Sequence, residues 1–78
     1  MKGQKILWID IRSLRQKKGW RQQETANKIG VSRSYLSAIE NKRRGISANI
    51  MESIINIFGV RYEDFQRVEQ KGGEKYGY

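Results

Sequence analysis

The segment from Gln22 to Ile39 constrains the fold most strongly, because its spacing predicts two short helices joined by a tight turn. Ala26 supplies the small residue needed where the two backbones cross, and Gly30 tolerates the positive φ that the bend requires. The outward face of the second helix is polar, whereas the inner positions of both helices are apolar: Ile29, Val31, Leu36 and Ile39. Each feature alone is common, but their joint spacing strongly favours this arrangement.

Apolar periodicity and capping residues predict further helices around this pair. In all, helices are expected over residues 11–18, 22–29, 33–41, 48–58 and 62–66. Asp10 and Ser47 are suited to cap the first and fourth helices, and Gly19 to end the first. Residues 6–11 fit either a short strand, by their β-branched content, or the first turns of a helix. The prediction is an all-α, five-helix domain over residues 6–70, between a flexible N-terminus (1–5) and a disordered tail (71–78).

Charge points to a polyanionic partner. Sixteen Lys and Arg against eight Asp and Glu give a formal net charge of +8. Residues 1–47 hold twelve of the basic residues and only three of the acidic ones. A segregated basic half suits nucleic acid, because neutralising phosphates releases condensed counterions. The ordinary alternative is a solvated basic surface, and charge alone leaves both open.

The residue inventory disfavours catalysis and metal binding. The chain has no His and no Cys, so the commonest general base, the thiol nucleophile and the usual zinc ligands are missing. We therefore expect no enzyme activity, no metal, no cofactor and no small-molecule ligand. No apolar run is long enough for a bilayer and no signal-peptide layout is present, which predicts a cytoplasmic protein without membrane contact.

The run from Gln22 to Asn41 resembles the Cro/repressor-type family, also called the xenobiotic-response-element (XRE) family. The similarity extends over residues 11–65 and includes the Leu14-Arg15 pair and the Ile57–Val60 ending of the fourth helix. It implies a lambda-repressor-like domain with a helix-turn-helix that dimerises and regulates transcription. The Arg33–Ser37 run, the chain length and the basic loop at residues 42–46 also resemble those of controller proteins of restriction-modification systems.

Three positions depart from the family pattern. Arg21 stands where relatives often carry Thr or Ser, so the second helix loses its usual cap. Thr25 replaces an inward-packing apolar residue, which is expected to loosen the core. Lys42 stands where Gly is common, which implies that Asn41 takes the left-handed conformation.

The third helix is expected to read bases from its N-terminal, outward face. The base-reading residues are Arg33, Ser34, Ser37 and Ala38. We expect Arg33 to contact a guanine edge in a bidentate manner, with a phosphate contact as the alternative. Ala38 either touches a thymine methyl group or leaves room for the helix to approach.

Six residues are expected to bind phosphates beside these bases: Arg21, Gln22, Tyr35, Asn41, Arg43 and Arg44. The assignment of Gln22 follows from the relatives, in which this position bonds a phosphate. For the basic run Lys42-Arg43-Arg44, the alternative is an ordinary solvated loop without a role in DNA binding. The resemblance also implies a structural salt bridge between Arg15 and Glu40, which fixes the third helix against the first.

Helix 4 suggests self-association, because it is apolar on more than one face and a surface helix needs only one stripe. One face can line the core. The remainder would form a two-fold interface through Ile57, Val60, Tyr62 and Phe65. The alternative is a central helix that is buried all round.

Together these features predict a sequence-specific, double-stranded-DNA-binding transcriptional regulator. It would act as a homodimer on a pseudo-palindromic operator with half-sites about 34 Å apart. The alternative is an antitoxin-like or adaptor module whose main partner is a protein.

Overall fold

The computed structural model describes residues 4–71. Among these residues, four helices follow one another along the chain, and two short strands before and after them pair into a small antiparallel sheet. In chain order the elements are β1 (Lys5–Trp8), α1 (Ile11–Lys18), α2 (Gln22–Ile29), α3 (Arg33–Glu40), α4 (Ala48–Phe58), a 3-10 turn (Tyr62–Asp64) and β2 (Gln66–Glu69). Within the described part of the chain, no helix combines the length and apolar composition that a membrane crossing requires.

The prediction of an all-α domain with five helices is wrong, because a sheet joins the two ends of the fold. The predicted fifth helix is only the 3-10 turn, after which the chain extends as β2. The open question over residues 6–11 is resolved as a strand followed by the start of α1. Ile6 pairs with Val68, and both apolar side chains are partly buried. Neither strand is stable alone, so neither could be assigned without its distant partner.

The predicted terminal segments fall mostly outside the described residues. At the N-terminus, Lys5 already belongs to β1 and pairs with Glu69. At the other end, the backbone N–H of Lys71 donates to the carbonyl of Lys42 at 2.7 Å. The remaining positions of the two segments, 1–3 and 72–78, are not among the described residues.

Local capping chemistry fixes the helix ends, and the predicted spans of α1, α2, α3 and α4 are confirmed to within one residue. The Asp10 carboxylate accepts from the N–H of Ser13 at 3.2 Å, and the Ser47 hydroxyl accepts from that of Ile50 at 3.4 Å. α2 has no side-chain cap from Arg21, as predicted. Instead the Glu24 carboxylate accepts from the Arg21 N–H at 3.3 Å.

The core lies where the four helices meet, and its fully buried apolar residues are Ile11, Ala26, Leu36, Ile39 and Ile54. Thr25 is equally buried in this apolar cluster. Its hydroxyl donates to the Arg21 carbonyl at 3.0 Å. The departure from an apolar residue therefore leaves no unsatisfied polar group, which is the main cost of burying a hydroxyl.

The left-handed residue after α3 is Lys42 and not Asn41, which corrects the prediction. Lys42 has φ 63°, whereas Asn41 has φ −93°. Contacts on several sides hold Lys42: its N–H donates to the Ile39 carbonyl at 3.0 Å and its Nζ lies 4.5 Å from the centre of the Trp8 ring. This conformation is costly for a residue with a Cβ, so these contacts must offset the strain.

Comparing Lys42→Gly with Lys42→Ala isolates the backbone strain at residue 42, because both variants lose the contact between the ammonium group and Trp8. We expect Lys42→Gly to be more stable than Lys42→Ala by about 1 kcal/mol, because only Ala keeps a Cβ at positive φ. Urea unfolding measures the difference. At Glu52, an exposed position in the interior of α4, the same pair should show the opposite order, because Gly destabilises a helix interior. Equal stabilities at position 42 would contradict the strain.

Candidate nucleic-acid interface

The α2–α3 turn sets the angle at which α3 is presented. α2 ends at Gly30, which has φ 91°, and the N–H groups of Gly30 and Val31 both donate to the Ala26 carbonyl, at 2.8 and 3.0 Å. Ala26 itself is fully buried. α3 begins at Arg33, three residues after Gly30, and the hydroxyl of its N-cap Ser32 accepts from the N–H of Tyr35 at 3.1 Å. These bonds define where α2 ends and where α3 begins on either side of the short turn.

The outward face of α3 carries the four residues predicted to read bases. Arg33 and Ser34 are exposed, while Ser37 and Ala38 are half-buried on the same side. All four line a shallow groove of about 240 Å³ together with Arg43. The structure thus brings the predicted base-reading residues together on an accessible surface.

A larger cleft of about 590 Å³, here called the sheet cleft, lies between α3 and the end of the sheet. Its lining residues are Gln4, Ile6, Ser32, Ser34, Tyr35, Ala38, Arg43, Arg44, Gly45 and Gln70. This lining contains two arginines and no carboxylate. The guanidinium carbon of Arg44 lies 4.8 Å from the centre of the Tyr35 ring, a cation–π distance that restrains both side chains.

The other predicted phosphate-binding residues lie outside these two grooves. Arg21 is exposed at the start of α2. The amide nitrogen of Asn41 donates to the Ser37 carbonyl at 2.8 Å, so this side chain caps the end of α3. The amide nitrogen of Gln22 donates to Glu40 at 3.1 Å. In the free chain the Gln22 and Asn41 side chains therefore serve internal contacts.

Glu40 anchors α3 from inside the molecule. Its carboxylate is fully buried and accepts two hydrogen bonds from Arg15, at 2.6 and 3.1 Å. Gln22 supplies a third, and the Nε of Arg12 a longer one at 3.3 Å. The salt bridge implied by the family resemblance is therefore present, and Arg12 and Gln22 extend it into a network that joins α1, α2 and α3.

The network also sets the charge state of Glu40. Burial alone would raise the pKa of its carboxyl. The hydrogen bonds and positive charge of Arg15, with the hydrogen bonds from Gln22 and Arg12, outweigh burial and hold the pKa of Glu40 below its usual value. In turn, the hydrogen bond to Glu40 raises the pKa of Arg15. The pair is therefore ionised at neutral pH.

Glu40→Gln should destabilise the fold in a pH-dependent way. At pH 7 we expect a loss of about 2–4 kcal/mol, because Arg15 keeps its charge without a counterion. The ion pair stabilises fully above the unfolded-state pKa of Glu, about 4.3, and is lost as pH falls through the lower folded-state pKa. The difference from wild type should therefore shrink below about pH 4.

Urea unfolding between pH 3 and pH 7 measures this dependence. Glu52→Gln, at an exposed position on α4, is the matched control and should change stability by less than about 0.5 kcal/mol. A loss for Glu40→Gln that stays constant with pH would show that the carboxylate charge is not responsible.

The residues predicted to form a dimer interface surround the end of α4. Tyr62 is 70% exposed, and Ile57, Val60 and Phe65 are partly buried against the core. Ile54 is the one fully buried residue of α4. The alternative of a helix buried all round therefore does not hold for the single chain.

Sequence reasoning missed three residues, of which two line the sheet cleft and one belongs to the network around Glu40. Gln4 and Gln70 line the sheet cleft, and no local signal could place them there because the sheet itself was not predicted. Arg12 could have been found: it lies three residues before Arg15, on the same face of α1, and a buried carboxylate accepts more than one donor.

Comparison with known proteins agrees with this geometry. A model described as helix-turn-helix (HTH_3) matches residues 11–65. Over 55 residues the chain is 38% identical to the "Neisseria hypothetical transcription factor" of Neisseria meningitidis serogroup B, covering 70% of this chain and 52% of that protein. The crystal structure of hypothetical transcription factor NHTF from Neisseria aligns with a TM-score of 0.63 and 37% identity, over 69% of this chain and 61% of the other.

A capped helix held by a tight turn, with its polar face exposed beside basic residues, defines a helix-turn-helix DNA-binding domain. The chain belongs to the helix-turn-helix family, and the resemblance to the Cro/repressor type is confirmed. Residues 11–65 thus form a DNA-binding domain of the helix-turn-helix type. The chain spans about half the length of the curated relative that it matches.

Proposed function

We propose that this chain is a transcription regulator that acts in the cytoplasm as a homodimer on a pseudo-palindromic DNA operator. One observation carries the proposal: the exposed face of α3 is polar and lies beside Arg43, while its opposite face is locked into the core. The major groove is wide enough to admit an α-helix and displays a distinct pattern for each base pair. No cofactor or small-molecule ligand enters the proposal.

In this proposal α3 supplies base contacts and its surroundings supply phosphate contacts. Arg33, at the exposed start of α3, suits a bidentate contact to guanine. Ser34, Ser37 and Ala38 follow along the same face. The side chains that would meet phosphates around the groove are Arg21, Gln22, Tyr35, Asn41, Arg43 and Arg44. Gln22 would have to turn from Glu40 or bond phosphate through its backbone N–H at the start of α2.

Arg33→Ala tests whether this residue reads a base. A duplex selected by the wild-type chain from a random library should bind the variant about 5-fold to 150-fold more weakly, whereas a scrambled duplex loses less. Arg43→Ala is the control for a phosphate contact, and it should weaken binding to both duplexes about equally. Fluorescence anisotropy at fixed salt measures both. Equal losses of Arg33→Ala on the two duplexes would assign Arg33 to phosphate.

Dimerisation would bring two α3 helices to successive turns of the same DNA face. The described chain measures 37 × 25 × 20 Å, so two adjacent copies can place their α3 helices about 34 Å apart, one helical turn. Tyr62 is 70% exposed and lies close in sequence to the partly buried Ile57, Val60 and Phe65. An exposed aromatic residue next to apolar neighbours suits an isologous interface.

Tyr62→Asp should convert a dimer to a monomer, because it places a charge at the centre of the proposed interface. Since Tyr62 is largely exposed, the fold of each chain should persist. Sedimentation velocity measures the oligomeric state. Gln16→Asp, at an exposed position on α1, is the control and should remain dimeric. A wild-type chain that stays monomeric at high concentration, or a dimer that survives Tyr62→Asp, would contradict this interface.

A further inference from the structure

The terminal sheet is bonded directly to the basic loop, defined here as residues 42–46. The side-chain amide of Gln70 donates to the Arg43 carbonyl at 2.6 Å. The next residue, Lys71, donates its backbone N–H to the Lys42 carbonyl at 2.7 Å. The two residues that follow β2 therefore hold the backbone of the loop by hydrogen bonds.

β1 holds the other half of the loop. The Ile46 N–H donates to the Leu7 carbonyl at 3.0 Å. A Cβ added to Gly45 would lie 2.9 Å from the Cβ of Ile6, so only glycine permits this close approach. The loop is thus fixed to both strands, and the strands set where its arginines lie.

The sheet cleft is bounded by the same elements. Gln4 precedes β1 and Gln70 follows β2, and a backbone bond from the Gln70 N–H to the Gln4 carbonyl, at 2.8 Å, joins them. Across the cleft lie Ser34 and Ala38, two of the proposed base-reading residues of α3. Arg43 and Arg44 also line it, and the lining has no carboxylate. Amide, hydroxyl and guanidinium groups are the usual donors to DNA phosphates.

We propose that the terminal sheet is part of the DNA interface. The sheet cleft receives the sugar–phosphate backbone that borders the major groove occupied by α3. Gln4 and Gln70 donate to phosphate oxygens there. Gln70 also positions Arg43, because its side-chain amide donates to the backbone carbonyl of Arg43. The inference rests on the proposed function, because the sugar–phosphate backbone of DNA meets this cleft only when α3 lies in the major groove.

Three variants with the same change in charge test the contact. Gln70→Glu and Gln4→Glu place a carboxylate in the cleft. Gln66→Glu is the matched control, because Gln66 is exposed at the start of β2, about 13 Å along the chain from Gln70, and does not line the cleft. At one salt concentration we expect the first two to weaken duplex binding about tenfold or more, because a phosphate donor is replaced by a like charge. Gln66→Glu should change binding by less than about twofold.

The duplex is the one selected by the wild-type chain, with a scrambled duplex of equal length beside it. Since the contact is to phosphate, the loss is expected on both. Urea unfolding of each variant establishes that the fold persists. Equal affinities of Gln70→Glu, Gln4→Glu and Gln66→Glu would overturn the proposal.

Gln70→Ala separates positioning of Arg43 from simple contact. Gln70 is uncharged, so loss of its own contact leaves the slope of log affinity against log salt unchanged. If it positions Arg43, the slope should decrease towards that of Arg43→Ala, a change of up to about one. An unchanged slope would remove the positioning role.

Methylphosphonate substitution locates the contact. In wild type, neutralising the contacted phosphate should weaken binding, and in Gln4→Ala that penalty should decrease at this phosphate alone. A penalty unchanged at every position would overturn the contact.

Arg33→Ala keeps the two proposals distinct: if it relaxes specificity while the glutamine variants match Gln66→Glu, the inference fails and the proposed function stands. If wild type selects no sequence, the proposed function fails, and the scrambled duplex still tests the sheet.

Discussion

The buried carboxylate of Glu40 is the interaction on which the arrangement of the helices depends. It lies at the last residue of α3 and is held by Arg15 and Arg12 from α1 and by Gln22 from α2. An ionised group inside a protein is tolerated only when its partners satisfy it. Each hydrogen bond is directional, so the network fixes the position of α3 in a way that apolar packing alone does not.

The charge distribution divides the molecule by task. The one acidic residue of α3 is turned inward, so the outer face of the helix presents Arg33 without a competing carboxylate of its own. Around it the exposed positive charges come from the basic loop, with Arg43 and Arg44, and from the start of α2, with Arg21. Contacts that select sequence would therefore come from α3, and contacts that supply affinity from the loop and the helix end beside it.

The helical pair could be predicted because its signals are local. Ala26, Gly30 and Ser32 act within a few residues of their own positions, and the caps Asp10 and Ser47 do the same. The Arg15–Glu40 pair was reached through the family resemblance, because twenty-five positions separate the two residues and composition does not pair them.

The sheet and the left-handed Lys42 could not be predicted, since both depend on contacts between distant parts of the chain. β1 has only three apolar residues, Ile6 to Trp8, in a segment whose periodicity fits a helix equally well, and only the pairing with β2 identifies it as a strand. Lys42 is favoured over Asn41 at positive φ because the Trp8 ring and the Lys71 N–H both meet it. The cleft residues Gln4 and Gln70 were missed for the same reason.

The pairing of the first and last described elements has a consequence for the dynamics of the domain. A two-stranded sheet is marginally stable by itself, and closing it orders a loop that contains every helix. Its amide hydrogens should therefore exchange with solvent through openings smaller than complete unfolding. Any ligand that bridges the sheet and α3 would suppress these openings, and by linkage a closed sheet would favour that ligand by the same free energy.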